Sequence, residues 1–266
     1  MAVGEAPLGF EFLYEQGVVE ACLTSDEKNS LGRDELTRLS EFLGDERENP
    51  DVKAVLITSG NPTFFTNGLA PEMFVDISER DAREAAALLI DSALAFLEFP
   101  NPIICCISGH CAGAGVVFAI LTDYRLMVEG GARIGFPESR IGMNFPSGVV
   151  PVLRDLIGAA ETRDALYRGK MYKPAQALEI RLVDEIHPAD ELLHRARRKT
   201  QEFANLPATS RRGIRTALTE ERRRHFRDVR EFDIEETARA IISPEAQEGF
   251  RSILENRRPR FPSAGG

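Results

Sequence analysis

Residues 99–122 read FPNPIICCISGHCAGAGVVFAILT and contain no Asp, Glu, Lys or Arg. A charge-free run of that length raises the question of a membrane span. Its own residues answer against one. Pro100 and Pro102 open the run, Gly109, Gly113 and Gly115 interrupt it, and Ser108 and His110 sit at its middle. A buried strand over Ile103–Ser108, a glycine turn, and a buried helix over Gly113–Leu121 explain the same residues without placing irregular backbone in lipid. Strand, turn and buried helix form the unit from which α/β proteins with parallel strands are built.

Outward from this unit the same alternation continues. Phe10–Tyr14 and Val18–Leu23 read as strands joined at Glu15-Gln16-Gly17 in a hairpin. Arg33–Glu48 places Leu36, Leu39, Phe42 and Leu43 on one helical face, and Ala54–Thr58 is a short apolar strand. Ser59–Gly68 reads as loop. Asp81–Phe99 is an amphipathic helix ended by Pro100. Strands follow at Tyr124–Val128, Arg133–Gly135 and Val183–Ile186, with helices at Glu161–Arg168, Pro174–Ile180 and Ala189–Ala204. From about residue 208 the pattern is helical through Asn256. No repeat is visible in the sequence, and no low-complexity linker.

Composition narrows the class. The chain has 266 residues, 43% of them apolar and 28% charged, so it is globular rather than disordered. Its four cysteines (Cys22, Cys105, Cys106 and Cys111) form no C-x-x-C pair, which disfavours a disulfide scaffold or a zinc site and leaves them as small buried apolar residues. No metal-ligand spacing links His187, His194 and His225. The start, MAVGEAPLGFEF, lacks the basic and apolar regions of a secretory leader, and the end, SAGG, carries no targeting or lipidation signal. A cytoplasmic location with no membrane partner is expected. Net charge is −9, yet residues 191–230 hold twelve Lys/Arg against five Asp/Glu. This excess reads either as a solvated helix face with i,i+4 pairs or as a patch for a polyanionic ligand. Nucleic acid is not expected as a partner, because the whole chain is acidic and shows no nucleic-acid-binding signature.

Two segments could carry chemistry: Phe64-Phe65-Thr66-Asn67-Gly68-Leu69 and Gly109-His110-Cys111-Ala112-Gly113-Ala114-Gly115. Small residues let backbone approach a ligand closely, and the first N–H groups of a helix lack internal partners. Such groups stabilise negative charge on an oxygen. The same glycines could instead serve helix–strand packing alone. The spacing is neither G-x-G-x-x-G nor G-x-S-x-G. About 20 residues on comes Ile134-Gly135-Phe136-Pro137-Glu138-Ser139-Arg140, one carboxylate among apolar and glycine neighbours. Burial would make Glu138 a base near neutral pH. From spacing alone, an ion pair with Arg140 or Arg133 is the simpler reading.

In order, these segments resemble the crotonase (enoyl-CoA hydratase/isomerase) superfamily. Lys28-Asn29-Ser30-Leu31 resembles its early CoA-binding loop, Phe65–Leu69 its first oxyanion-hole segment, and Gly109–Ala119 its second. Phe136-Pro137-Glu138 resembles its catalytic-glutamate segment. Ala175–Asp184 is similar to an A-x-E-A-x-x-x-G-L-V stretch with Arg181 in place of the glycine, and Glu248–Phe261 resembles the C-terminal helix motif. The resemblance implies an α/β fold, a spiral of ββα turns over residues 1–200. A helical region, 201–266, would then drive homotrimers or homohexamers. It implies an acyl-CoA thioester substrate in fatty-acid metabolism, with no separate cofactor, since coenzyme A enters as part of the substrate. Catalytic roles would fall to Glu138 and to the N–H groups of Leu69 and Ala114. Substrate contacts would fall to Lys28, Asn29, Leu31, Asn67, Gly68, Met73, Phe74, Gly113, Phe136 and Pro137. Ile77, Leu88 and Ile90 are further candidates for the acyl tunnel, although core packing explains the helical ones as well.

Two-glutamate hydratases, the lyases of this superfamily, carry a second carboxylate where this chain has Val117. A lone glutamate at the position of Glu138 resembles the Δ3,Δ2-enoyl-CoA isomerases, as do Phe64–Gly68, Ala112–Gly115 and Ile141–Pro146. The expected activity is therefore isomerisation, with Glu138 as sole general acid/base. One alternative is a hydratase, or another crotonase reaction, with a second acid from Glu72 or Asp76. Another is an inactive acyl-CoA-binding paralogue, given Ala114 where the family usually has glycine. Asn256 stands where relatives carry a CoA-reaching lysine, a role that Arg257 or Arg258 could take.

Overall fold

The computed structural model describes residues 9–261. The leader reading of the N-terminus and the targeting reading of SAGG concern residues 1–8 and 263–266, which lie outside the described residues. The hairpin forms from β1 (Gly9–Glu15) and β2 (Val18–Thr24), turned by Gln16 and Gly17, both at positive φ. That two-residue turn matches the twist of the flanking strands. Helix α1 (Arg33–Asp45) buries Leu36, Leu39, Phe42 and Leu43, the face its periodicity predicts.

Three ββα turns follow. The first is β3 (Ala54–Ser59), β4 (Phe64–Thr66) and α2 (Glu79–Glu98). The second is β5 (Ile103–Ile107), β6 (His110–Ala112) and α3 (Ala114–Ile120). The third is β7 (Tyr124–Val128), β8 (Ile134–Gly135), a 3-10 turn over Glu138–Ile141, and α4 (Val150–Ile157). Thus the charge-free run 99–122 is divided into two strands and a helix. No helix among the described residues is long and apolar enough to cross a membrane.

Each turn sends its first strand to one sheet and its second to another. After α5 (Ala159–Arg168) come β9 (Met171–Tyr172), α6 (Pro174–Glu179) and β10 (Glu185–His187). The larger sheet runs β1-β2-β3-β5-β7-β10, and the smaller runs β4-β6-β8-β9. In the larger sheet only β1–β2 is antiparallel, and in the smaller only β8–β9. β3 and β5 are buried almost end to end, as strands covered on both faces must be. Strands β4, β6, β8 and β9 are two or three residues long, too short to show a period. The loop expected over 59–68 therefore holds β4, the glycine turn expected after Ser108 holds β6, and β9 and α4 were likewise not foreseen.

Helix α7 (Ala189–Ala204) packs on the larger sheet and contains the division expected at residue 200. The helix expected from 208 to 256 is two, α8 (Ala208–Ile241) and α9 (Pro244–Leu254). Pro244 cannot continue α8, and the Ser243 hydroxyl accepts the Ala246 N–H at 3.1 Å to start α9. α8 is held to the core by two buried arginines. Arg215 donates to the carbonyls of Phe96 (2.8 Å), Leu97 (3.4 Å) and Phe99 at the C-terminal end of α2, and to Asp123 at 2.8 Å. Arg211 donates to Asn101 Oδ1 at 3.0 Å and to the carbonyls of Ala204 and Leu206.

The basic excess of 191–230 is largely consumed inside the molecule. Beyond those two, Arg222 pairs with Asp155, Arg223 and Arg224 with Glu220, Arg227 with Glu98, and Arg230 with Asp91. Neither reading covers this stretch: Arg211 and Arg215 are buried in the core, and Arg222, Arg227 and Arg230 pair across elements rather than at i,i+4. Cys105, Cys106 and Cys111 are buried and free, and burial raises each thiol's pKa.

Candidate active site

Adjacent parallel strands deliver three segments to one place. Asn67-Gly68-Leu69 leaves the C-terminal end of β4, Gly113-Ala114 that of β6, and Phe136-Pro137-Glu138 that of β8. At Gly68 the packing admits no side chain, whereas at Gly113 there is room for a Cβ and only the backbone conformation selects glycine. A Cβ on Gly68 would lie 2.9 Å from the Ala112 carbonyl oxygen and 3.5 Å from the Ala114 nitrogen. A Cβ on Gly113 would lie 3.8 Å from Gly68 Cα and 4.0 Å from Glu138 Oε1. Both glycines have positive φ, +95° and +57°, which their lack of a Cβ permits.

Two N–H groups at this junction are free. Leu31 forms a parallel bridge with Leu69, taking Gly68 O at 2.8 Å and the Ala70 N–H at 3.0 Å. That pattern bonds the peptides flanking Leu69 and turns the Leu69 N–H the other way. Ala114 is the first residue of α3, so its N–H has no intrahelical acceptor. Among the described residues neither N–H has a hydrogen-bond partner.

These segments wall a cavity of about 400 Å³. Lys28, Asn67, Gly68, Leu69, Phe74, Gly113, Ala114, Pro137 and Glu138 line it, as the sequence leads one to expect, and so do Val117 and Ile90. Four expected contacts are not on its wall. Asn29 is buried, its amide donating to Leu23 O, Ser59 Oγ and Phe65 O, which ties the Lys28 loop to the Phe65 strand. Leu31 is core and acts through its backbone bridge to the Leu69 segment. Met73 packs against the core from the 3-10 turn Pro71–Met73, and Phe136 is fully buried, edge-on to Phe145. Ile77 and Leu88 also lie off the wall.

Glu138 is the only acidic residue on the wall among the described residues. Its Oε2 is fully buried with no hydrogen-bond partner, and desolvation pushes its pKa up to about 7. The ion pair that spacing favoured does not form: no ion pair among the described residues involves Glu138, and Arg140 donates to Arg168 O instead. Glu72 and Asp76, the candidate second acids, are exposed and off the wall, and Asp76 pairs with Arg251. His110 accepts the Arg133 N–H on Nδ1 at 3.2 Å, a structural use of the ring.

Other wall residues come from helices remote in sequence. Ala85, Leu89 and Ala93 are on α2, Thr237 and Ile241 on α8, Phe250 and Ile253 on α9, and Asn256 and Arg257 just beyond it. The 146–149 loop is fixed by buried Asp233, which accepts from Ser147 N (2.8 Å), Ser147 Oγ (2.7 Å) and Gly148 N (2.8 Å). Gln247 latches the segment after Leu69 to α9, donating to Phe74 O at 2.7 Å and accepting the Asp76 N–H at 3.0 Å. A helix-borne residue facing a cavity looks like any core residue in a sequence. Only the polar interruptions of buried stripes, such as Thr237 between Asp233 and Ile241, give a signal.

Two sheets wound from ββα turns, with one buried acid beside two free main-chain N–H groups, define a crotonase-type protein. The model of the enoyl-CoA hydratase/isomerase family matches residues 14–264. The chain belongs to the enoyl-CoA hydratase/isomerase family. It is 26% identical over 248 residues to the mitochondrial enoyl-CoA delta isomerase 1 of Rattus norvegicus, covering 91% of this chain and 84% of that one. The crystal structure of the human mitochondrial delta3-delta2-enoyl-CoA isomerase superposes with a TM-score of 0.88 at 21% identity, covering 93% and 97% of the two chains. An enoyl-CoA hydratase structure from Geobacillus kaustophilus gives 0.76 at 25% identity, covering 97% of each.

Proposed function

We propose that this enzyme is a Δ3,Δ2-enoyl-CoA isomerase. The observation that carries the reading is the solitary carboxyl group: on a wall that includes α3, Val117 stands where a second acid would face the cavity. Adding water across a 2,3-double bond calls for groups to orient the water and to handle protons at C2 and C3. A 1,3-proton shift needs one group that takes a proton and returns it. Glu138, with a pKa near 7, is suited to both halves of that exchange.

In this mechanism the substrate's thioester oxygen sits against the Leu69 and Ala114 N–H groups. The Glu138 carboxylate removes a proton from C2, and charge moves onto the thioester oxygen as a dienolate. The two N–H groups stabilise that charge, because they are fixed before the reaction and need no reorganisation. The protonated carboxyl then delivers the same proton to C4, and the double bond comes to lie between C2 and C3. Lys28 at the rim, in no ion pair among the described residues, suits the anionic CoA moiety. Arg257, also on the wall, is already paired with Glu248 and Glu255. A homotrimer, alone or doubled to a hexamer, is the assembly proposed with this reading. Exposed Ile214, Leu218 and Phe232 on α8 offer apolar surface for it.

The test is Glu138→Gln. The variant should fold and bind CoA thioesters but lose turnover of a 3-enoyl-CoA, and wild type should add water to crotonyl-CoA slowly or not at all. Retained isomerisation in the variant removes Glu138 from the mechanism. Efficient hydration by wild type would restore the hydratase reading. Tight acyl-CoA binding by wild type without proton exchange at C2 would mark an inactive paralogue.

A further inference from the structure

A glycine inside a helix costs stability relative to alanine, so its presence there calls for a reason. Gly44 on α1 and Gly213 on α8 have open space where a Cβ would stand. Gly249, in the middle of α9, has none. A Cβ there would lie 2.0 Å from the Ile141 carbonyl oxygen, 2.7 Å from its carbonyl carbon and 2.9 Å from its Cα. These are backbone atoms, which cannot swing aside as the end of a side chain can.

Ile141 ends the 3-10 turn that Glu138 begins. The next residue, Gly142, also meets α9: at φ +75°, its Cβ would lie 2.7 Å from the Glu245 carbonyl carbon and 2.8 Å from Ala246 N. Gly142 and Met143 donate their N–H groups to Glu138 O, the latter at 3.0 Å. The peptide that bears the acid is thus tied to residues seated backbone to backbone on α9. The helix itself is anchored elsewhere. Its Gln247 amide donates to Phe74 O at 2.7 Å and to Ile241 O at 2.8 Å, and Phe250 stacks on Phe74. Phe74 closes the 3-10 turn that follows Leu69, so one helix touches both the acid's turn and the segment after an N–H donor. Of the two partners at the Gly249 contact, the turn is the softer. None of its four residues is fully buried, and Ser139 and Arg140 are exposed.

We infer that Gly249 is a positioning residue: by letting α9 lie against the Ile141 peptide, it sets where the Glu138 carboxyl stands relative to the Leu69 and Ala114 N–H groups. The inference rests on Glu138 being the base and adds what holds it in place. Ordinary contact with a Cβ begins at 3.4 Å, so a methyl group at 249 must part helix and turn by up to about 1.4 Å. A misplacement of about 1 Å is enough to cost about 10²-fold in rate. Parting the two also admits water to a carboxyl whose properties come from desolvation.

The experiment compares Gly249→Ala with Gly213→Ala, the control for a helical glycine in open space. In Gly249→Ala, kcat for a 3-enoyl-CoA should fall about 10²-fold while KM stays within about twofold of wild type. Gly213→Ala should match wild type. A second readout needs no turnover: Glu138→Gln is introduced into each background, and the urea midpoints of each pair are followed from pH 4.5 to 8. The pH-dependent gain of the glutamine partner should persist in Gly213→Ala and shrink in Gly249→Ala, where Glu138 regains water. If Gly249→Ala does not fold, Ser243→Ala takes its place. It removes the cap of α9 and loosens the Glu245–Ala246 seat of Gly142, and it should move both readouts the same way, kcat by severalfold. Unchanged values there overturn the inference. So does a folded Gly249→Ala that loses stability but keeps wild-type kcat, KM and pH dependence, since that marks packing alone. A raised KM with unchanged kcat also overturns it, because α9 would then have moved and the turn stayed. Wild type without turnover of any 3-enoyl-CoA overturns the isomerase reading, and the unfolding comparison then decides by itself whether Gly249 holds the carboxyl in place.

Discussion

Replacing Glu138 by glutamine tests the electrostatics of the site through folding alone. The side chain keeps its shape and loses its charge. In the unfolded chain a glutamate titrates near its ordinary 4.5, whereas burial moves Glu138 to about 7 in the folded protein. Between those two values the folded state holds a proton that the unfolded state has released. Stability contributed by the neutral acid is therefore fully present below pH 4.5 and is lost as pH rises to about 7. At 1.36 kcal/mol per unit, the loss is about 3 kcal/mol. The glutamine variant has no such dependence. Its amide N–H groups cost something beside an oxygen site that has no partner, but that cost is the same at every pH. Urea unfolding of both proteins, at one protein concentration and at several pH values from 4.5 to 8, isolates the difference, because every other titration is common to the pair. The variant should gain on wild type by about 3 kcal/mol across the window and then level off. A difference independent of pH would refute a neutral, desolvated carboxyl, and with it the base proposed for the reaction.

The same carboxyl sets the activity profile: kcat/KM for a 3-enoyl-CoA should rise with pH through about 7 as the base ionises, and a flat profile from pH 6 to 8 would contradict it. Ala114→Pro removes one N–H at a position where helices accept proline, so fold should persist while kcat drops about 10²–10³-fold. Unchanged kcat in a folded variant would remove that donor from the mechanism. Arg215→Met strips three carbonyls and Asp123 of a buried cation and should lower stability by about 3–5 kcal/mol, read by thermal or urea unfolding. Arg181 has φ +63°, a conformation that favours glycine, so Arg181→Gly should stabilise the protein by about 1 kcal/mol, read by urea unfolding. Gln247→Leu should speed hydrogen exchange across residues 70–77 by releasing that segment from α9, and unchanged protection there would show that the Phe74–Phe250 stack suffices.

The charge-free run determined the central strand β5 and the helix α3, because a buried parallel strand leaves its mark in composition, while the turn expected between them holds β6. The hairpin, α2 and α7 were legible for the same kind of reason: their turn residues or apolar stripes are local. The order of the six segments led to Glu138, Leu69 and Ala114 through resemblance. β4 and β6 could not be read, since three-residue strands have no period, yet their pairing with each other and with β8 is what carries Gly68, Gly113 and Glu138 to one point. Spacing favoured an arginine partner for Glu138, and only the packed structure shows its carboxyl alone and desolvated. The far wall of the cavity was equally hidden. Thr237, Asn144 and Gln247 are ordinary helix and loop residues until α8 and α9 fold back over the sheets. Local sequence sets which way a segment curls and which face is greasy. A pKa or a free N–H depends on neighbours distant along the chain, and those exist only once the tertiary structure has excluded water from between them.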